Sequence, residues 1–331
     1  MPANLPPQYH AAEEAYRRAR TSAEKVEALE TMMAVIPKHK GTEHLRGELK
    51  ARMARLAQES DRQAAGKGGA SVYDIRKEGA GQVAVVGLTN SGKSALVAAL
   101  TGAPARVGDY PFTTQLPFPA MMPVENVQVQ LVDLPAFIAG ATPPWLRAAA
   151  RRADIALVVL DLAGDTLSDW ATLRDELAQA RILPHPPDAP VTPTEDDPRV
   201  PVRTLIVANK CDAPDAADAL ELLKLELDGA LPALPVSATT GEGIEELRAR
   251  LWRALDAIRV YTKPPGKPVD RTRPFVLARG ATVGDLADQI HHELREKLKY
   301  GQLWGASSKF DGQRVGHGHV LEDEDVVELY A

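Results

Sequence analysis

One eight-residue segment constrains the fold of this 331-residue chain more than any other. The segment GLTNSGKS follows the apolar run QVAVV and precedes the helix-forming sequence ALVAAL. It matches the pattern G-x-x-x-x-G-K-[S/T], in which a strand, a glycine-rich turn and a new helix aim backbone N–H groups at phosphate. The sequence therefore predicts a phosphate-binding loop within an α/β domain. Its residues are Gly87, Leu88, Thr89, Asn90, Ser91, Gly92, Lys93 and Ser94.

Four side chains are candidates for the phosphates and a metal ion. Lys93 is expected to neutralise the β- and γ-phosphates, and the Ser94 hydroxyl to complete a Mg²⁺ shell. Asp133 ends the apolar strand VQLVD, which predicts a carboxylate that reaches Mg²⁺ through water. The pair Thr113-Thr114 lies in a proline-bounded loop, where Thr114 is a candidate Mg²⁺ ligand only while the third phosphate is bound. The competing interpretation is an ordinary pair of loop threonines.

Two further loops predict which base is bound. The segment NKCD follows the strand TLIVA, and the segment SAT follows LPALPV. An aspartate accepts two hydrogen bonds from guanine N1–H and its 2-amino group, which adenine does not offer. The second loop is expected to present a backbone N–H to guanine O6. The pair indicates GTP and GDP and argues against an ATPase. The base-site candidates are Asn209, Lys210, Asp212, Ser237, Ala238 and Thr239.

Apolar runs and helical segments alternate from Gln82 to about residue 258, which predicts a central sheet covered on both faces by helices. Helices are expected at about 93–101, 143–152, 168–181, 214–228 and 243–258. The segment 183–201 is rich in proline and acidic residues and is interpreted as an exposed loop. The fold class is an α/β P-loop domain with an N-terminal helical region and a small C-terminal α+β domain.

The predicted domains are 1–72, 73–262 and 263–331. The first is helical. In the last, a strand is expected at Phe275–Ala278, a helix at Val283–Leu298 and short strands up to VVELY.

The net charge of −6 excludes a general polycation, so any RNA contact must come from a local patch. The segment from Lys38 to Arg55 holds six lysines and arginines against two glutamates, and is either an RNA contact or an ordinary solvated helix. No apolar run reaches the roughly 20 residues that cross a bilayer, so no membrane partner is expected. One cysteine and no secretory signal are typical of a cytoplasmic protein.

Taken together, these motifs resemble the Obg-type GTPases and, more specifically, their DRG (developmentally regulated GTP-binding) branch. The Obg-like marks are YPFTT at 110–114 and DLP at 133–135. The DRG-like marks are KHKGTEHLRGELKARMARL, YTKPPG and VGHGHVLEDEDVVEL, the last two in a TGS-like domain with a β-grasp-like fold. The resemblance implies a GTPase associated with translation, whose TGS domain and basic N-terminal helix contact RNA or the ribosome.

The sequence departs from that family at three points. The interval between Asp161 and Val202 is too short for the extra α/β insertion of DRG proteins. Ala136 replaces the usual glycine at this position. Its backbone N–H is still a candidate contact for the γ-phosphate, but its Cβ restricts the backbone change available to the switch. Phe137 stands where a Ras-like enzyme has a water-orienting glutamine, so catalytic charge must come from elsewhere.

In K⁺-activated GTPases an asparagine at the position of Asn90 helps to hold K⁺, so one hypothesis gives Asn90 this role and the other makes it a turn residue. The candidate catalytic residues are Lys93, Asn90 and Thr114. The predicted function is slow, Mg²⁺-dependent hydrolysis of GTP by a translation-associated switch. The alternative is a nucleotide-responsive RNA- or ribosome-binding module with negligible hydrolysis.

Overall fold

The structure is a computed structural model. It describes residues 9, 13–14, 16–17, 28–29, 31–32, 49, 73, 75–102, 116–189, 197–264 and 267–331. Its contacts divide the chain into two units, Met1–Ile75 and Arg76–Ala331. In the first unit the described residues from 9 to 49 are helical, and Leu29, Met32 and Leu49 are buried. The remaining residues of the predicted basic helix lie outside the described part.

The second unit begins with a seven-stranded sheet in the order β2-β3-β1-β4-β6-β5, with β7 also paired to β6. The strands are parallel except β2, which runs antiparallel to β3 along one edge. The strands are β1 Gln82–Val86, β2 Phe118–Val124, β3 Val127–Asp133, β4 Ile155–Asp161, β5 Ile182–His185, β6 Val200–Asn209 and β7 Ala233–Val236. The helices are α1 Lys93–Thr101, α2 Pro144–Arg152, α3 Thr166–Gln179, α4 Ala216–Leu227 and α5 Ile244–Ala254.

The core of this sheet explains why its strands are nearly continuous apolar runs. Every residue of β1 is buried, and Leu96 and Leu100 of α1 pack with Leu247 and Leu251 of α5 in one cluster against it. Strands buried on both faces need this composition, because helices cover both sides. The predicted P-loop α/β class is confirmed by this architecture.

A second sheet, in the order β11-β10-β12-β8-β9, forms the C-terminal part. Its strands are β8 Ala257–Thr262, β9 Phe275–Ala278, β10 Tyr300–Trp304, β11 Gln313–Val315 and β12 Val326–Tyr330. Helices α6 Val283–Ile290 and α7 His292–Lys297 accompany it. Leu286 and Ala287 of α6 pack with Leu303 and Val327 in its core, which gives the predicted small α+β fold.

Three predicted elements were wrong in detail. The helix expected at 283–298 is interrupted at His291, whose extended backbone (φ −164°) ends α6 and begins α7. The helix expected to reach 258 ends at Ala254, and β8 follows at once. The supposed loop 183–201 contains most of β5 and the start of β6, which pair in parallel from Ile182 with Val200.

Candidate nucleotide-binding site

The loop between β1 and α1 has the backbone geometry that its glycines predict. Gly92 has a φ of +88°, and a Cβ there would lie 2.2 Å from Asn209 Nδ2. A Cβ on Gly87 would lie 2.7 Å from both Ser91 Oγ and Val159 O. A side chain at either position would force the loop apart, and Gly92 also needs a conformation that residues with a Cβ rarely adopt. The backbone of the loop therefore packs directly against β4 at Gly87 and against Asn209 of β6 at Gly92.

Lys93 folds back over this loop. Its ammonium donates to the carbonyl oxygens of Gly87, at 3.1 Å, and Leu88, at 2.8 Å. The side chain is buried, and this burial lowers the pKa of Lys93 from 10.5 to about 8, against the opposing attraction of Asp133. The ammonium is thus held inside the turn, where burial disfavours its charged form. A bound anion would stabilise that charged form.

Ser94 and Asp133 meet directly beside Lys93. The Ser94 hydroxyl donates to Asp133 Oδ2 at 2.6 Å, because parallel pairing of β1 with β3 sets Val85 opposite Asp133. Asp133 Oδ1 is buried and has no hydrogen-bond partner within the described residues. Burial raises the pKa of Asp133, while the bonds to Ser94 and the charge of Lys93 act the other way. A buried acceptor without a partner is costly, so this oxygen is suited to a metal-bound water.

Asn209 joins the two loops that the sequence assigns to phosphate and base. Its Nδ2 donates to Ser91 O at 3.0 Å, and its Oδ1 accepts from the backbone N–H of Ala238 at 3.2 Å. Parallel pairing of β6 with β7 places Asn209 opposite Val236, immediately before this second loop. Ser237 is buried, and its hydroxyl accepts from Thr240 N at 3.0 Å, which shapes the turn around Thr239.

Lys210 has a partner that the sequence analysis missed. Lys210 adopts a left-handed backbone (φ 63°), and its ammonium lies 2.5 Å from Asp161 Oδ2. Asp161 ends β4 and pairs in register with Asn209 of β6. The available signal was the strand IALVVLD, which ends in aspartate as VQLVD does. Asp212 is exposed at the same edge.

The loop after Asp133 does not bring Phe137 to the site. The Phe137 side chain is only 1% exposed, and its backbone N–H donates to Gly87 O at 3.1 Å. Ala136, beside it, is half-buried. The aromatic ring thus fills the core, and only the backbone of Phe137 contacts the phosphate loop.

Glu176 of α3, also absent from the sequence analysis, fixes the next part of this loop. Its carboxylate accepts from Gly140 N at 2.6 Å and from Arg147 Nη2 at 2.8 Å. Burial raises the pKa of Glu176, but the hydrogen bonds from Arg147, Thr142 and Gly140 outweigh it and the net pKa is lowered. Thr142 in turn bonds both the N–H and the C=O of Ile138.

The remaining predicted residues divide into two groups. Asn90 is exposed at the tip of the loop, with a left-handed backbone (φ 66°), and Thr89 is exposed beside it. Thr113 and Thr114, with the rest of YPFTT, lie outside the described residues. The structure therefore brings together the phosphate-loop, Asp133 and base-loop candidates, all at the carboxyl ends of β1, β3, β4, β6 and β7.

Comparison with known proteins gives this arrangement its family. Residues 82–188 match the family model described as 50S ribosome-binding GTPase, and residues 258–331 match the TGS domain. A GTP-binding protein of Halobacterium salinarum is 31% identical and covers 93% of this chain and 98% of its own length. Developmentally-regulated GTP-binding protein 1 of Xenopus laevis is 30% identical and covers 92% of this chain and 98% of its own length. The chain belongs to the DRG branch of the Obg-type GTPases.

A further named relative matches this DRG-type GTPase over most of its length. Ribosome-interacting GTPase 1 of Saccharomyces cerevisiae is 30% identical over 93% of this chain and 99% of its own length. The predicted resemblance is confirmed. Among the described residues of this GTPase, no helix has the length and apolar character needed to cross a membrane.

Proposed function

We propose that this DRG-type protein binds GTP with Mg²⁺ at the site above, hydrolyses it slowly to GDP and phosphate, and serves as a ribosome-associated switch. The observation that carries the proposal is the position of Asn209, whose side chain bonds the phosphate loop on one side and the Ser237–Thr239 loop on the other. Binding one nucleotide along its length requires these two loops to be held at a fixed separation.

Guanine selectivity rests on Asp212, whose exposed carboxylate can accept from guanine N1–H and the 2-amino group. Lys210, fixed by Asp161, lays its aliphatic stem along the base plane. The N–H of Ala238 is engaged by Asn209 at 3.2 Å, so guanine O6 shares that donor or takes the N–H of Thr239. Adenine has no N1–H or 2-amino group for Asp212 and no oxygen at C6 for the backbone N–H groups.

The phosphate end fits a Mg²⁺ nucleotide. Lys93, Ser94 and Asp133 already lie together, and the buried Asp133 Oδ1 offers an acceptor for a metal-bound water. Thr114 would complete the shell when the γ-phosphate is present. Mg²⁺ supplies neutralisation of charge on the β- and γ-oxygens. The residues of the chain position the phosphates and exclude water around Lys93.

Catalytic charge must come from another group, because the buried side chain of Phe137 cannot orient a water molecule. Asn90 is exposed at the tip of the loop and directs no hydrogen bond to other described residues. One hypothesis gives its amide to a K⁺ ion beside the phosphates. The other treats Asn90 as a turn residue, since Asn tolerates a positive φ.

The first experiment measures GTP hydrolysis by the purified protein in matched K⁺ and Na⁺ buffers, with Asn90→Ala and Asn90→Gly alongside. Gly accepts φ 66° without strain, so it removes the amide and keeps the turn. If Asn90 holds K⁺, both variants lose the stimulation. If Asn90 only shapes the turn, Asn90→Gly behaves as the wild type and Asn90→Ala binds nucleotide more weakly. Equal turnover in both salts would exclude the K⁺ hypothesis.

The second candidate function is a nucleotide-responsive ribosome- or RNA-binding module with negligible hydrolysis, which the burial of Phe137 favours. The TGS domain and the basic N-terminal helix are its proposed contacts. Co-sedimentation with ribosomes, in GDP and in a non-hydrolysable GTP analogue, separates a switch from a constitutive binder. Nucleotide-dependent sedimentation without turnover in either salt would support the second function.

A further inference from the structure

The TGS sheet has one face that its helices leave open. Residues alternate between faces along a strand, so Leu303 and Val327 point to the helices while their neighbours point away. Register across the strands sets Tyr300 opposite Tyr330 and Gln302 opposite both Arg314 and Glu328. We call this surface the ladder face. It comprises Tyr300, Gln302, Trp304, Arg314, Glu328, Tyr330 and, beside them, Lys263.

Flat groups stack side by side across the ladder face. The rings of Tyr300 and Tyr330 lie 4.7 Å apart between centroids and 11° from parallel. On the Tyr300 side, the Arg314 guanidinium lies 3.7 Å from the centroid of that ring. The order Tyr330, Tyr300, Arg314 is therefore a continuous stack whose last member is an exposed, planar cation.

A second cation lies over the remaining ring. Lys263 Nζ is 3.9 Å from the Trp304 ring centroid and 2.9 Å from Glu328 Oε2. Glu328 is buried and also accepts from the Tyr330 hydroxyl. Lys263 thus neutralises the carboxylate of Glu328 within the ladder face. The positive charge that this face exposes to solvent comes from Arg314.

Contacts within the second unit limit which part of the sheet is open. Arg259 and Tyr261, on the same side of β8, are engaged by Glu125 and Asn126 of the β2–β3 turn. The helices cover the opposite side, where Leu294 of α7 packs against the core. The half carrying β10, β11 and β12 is left with Arg314 exposed and Tyr300, Trp304 and Tyr330 partly exposed.

We propose that the ladder face binds unpaired nucleotides of RNA, with a base stacking on the outer plane of Arg314 and the adjoining phosphate meeting its N–H groups. This inference rests on the proposed ribosome association and names the contact that would serve it. Unpaired bases stack on aromatic and guanidinium planes, and a duplex hides those base faces. An acidic peptide would pair its carboxylates with the N–H edge of the guanidinium and has no flat group to cover the outer plane.

The test measures, by anisotropy, the binding of the full chain to a fluorescein-labelled ten-nucleotide single-stranded RNA and to a blunt-ended RNA duplex at equal phosphate concentration. Arg314→Lys keeps the charge and removes the plane, so single-strand affinity should fall at least about fivefold, the lower end of one lost stacking contact. Tyr300→Ala should weaken binding similarly, and Tyr300→Phe should restore it. Arg295→Ala removes one exposed charge from α7 and should change affinity less than twofold.

Binding of GDP by every variant is measured in parallel, so that failure of the nucleotide site is seen separately from failure of the ladder face. Single-strand affinity equal in wild type and Arg314→Lys would overturn the proposal. Equal affinity for the blunt-ended duplex and the single strand would also overturn it. A ten-residue glutamate peptide binding more tightly than RNA would indicate an acidic protein partner instead. No single-strand binding below about 100 µM, the weak end of non-specific affinity, would overturn it too.

Discussion

Asn209 Nδ2 donates to Ser91 O at 3.0 Å, although the two residues lie 118 positions apart in the chain. Asn209 is 2% exposed, and its Oδ1 accepts a second hydrogen bond from Ala238 N at 3.2 Å. One amide thus satisfies a buried acceptor in the phosphate loop and a donor in the base loop. Gly92 permits this, since a Cβ there would lie 2.2 Å from the same nitrogen.

Replacing Asn209 with Ala should uncouple the two loops. Ser91 O and the N–H of Ala238 both lose their hydrogen-bond partner. Leaving these groups unsatisfied should lower the free energy of unfolding by about 1–3 kcal/mol. Guanine nucleotide affinity should fall by roughly 10- to 100-fold, since a fixed separation of the loops is lost. Urea unfolding and fluorescent GDP titration measure the two effects. Glu221→Ala, a change at an exposed residue of α4, is the control, and an equal loss there would contradict the role of Asn209.

Asp212→Asn should change the base that is bound. The substitution removes an acceptor and adds a donor, so guanine loses two charge-assisted hydrogen bonds and xanthine, with a carbonyl at C2, gains one. We expect GDP affinity to fall by about 100-fold or more and XDP affinity to rise. Competition of GDP, ADP and XDP against a fluorescent nucleotide measures the exchange. Unchanged preference for GDP would mean that Asp212 does not contact the base.

Much of the site was predictable because its chemistry is local in sequence. Glycines at Gly87 and Gly92, a lysine and a serine follow one strand, and any strand–turn–helix of that pattern places them together. Asp133 and Asn209 follow the same logic, since each ends a buried strand and parallel strands end at one edge. Asn209, predicted as a base-site residue, lies beside the phosphate loop and donates to Ser91 O.

Other features depend on register and packing, which sequence pattern does not specify. Asp161 meets Lys210 only because β4 and β6 pair Asp161 with Asn209. The side chain of Phe137 faces the core, a direction set by the packing of the loop on β1. Strand β2 was not predicted, because Pro119 and Pro123 interrupt its pattern. It forms nevertheless, since an edge strand tolerates proline.

Glu176 should make the stability of the loop after β3 depend on pH. Its folded-state pKa is lowered below the ordinary 4.5, since hydrogen bonds from Arg147, Thr142 and Gly140 outweigh burial. A lowered carboxylate pKa contributes stability that is present above pH 4.5 and lost as the pH falls through the folded value. Glu176→Gln should therefore cost about 1–3 kcal/mol at pH 7 and progressively less below pH 4.5.

Urea unfolding of wild type and Glu176→Gln at pH 7, 5.5 and 4 measures that difference. The matched control is Glu221→Gln, because the Glu221 side chain is 69% exposed and pairs only locally with Lys224. A constant difference across this range would show that shape, and not charge, stabilises the loop.

Arg259 should join the TGS domain to the β2–β3 turn of the G domain. Its side chain is 8% exposed and pairs with Asp323 at 2.7 Å, Glu324 at 3.2 Å and, across the two sheets, Glu125. Asn126 adds bonds to Tyr261 Oη at 2.7 Å and Arg271 O at 3.0 Å. The turn is therefore held by a buried cation, and Arg259→Ala should lower the unfolding free energy by about 1–3 kcal/mol.

The Arg259→Ala substitution should also make the β2–β3 turn more mobile than strands β1 and β4. Because Glu125 and Asn126 lose their anchor, hydrogen exchange at residues 124–127 should accelerate more than exchange in β1 or β4. Arg279→Ala is the control, since that side chain is 63% exposed and pairs with Asp256 within the same region. A double-mutant cycle of Arg259→Ala with Glu125→Ala isolates the contact between the domains. Strict additivity would show that Arg259 stabilises only its own TGS loop, through Asp323 and Glu324.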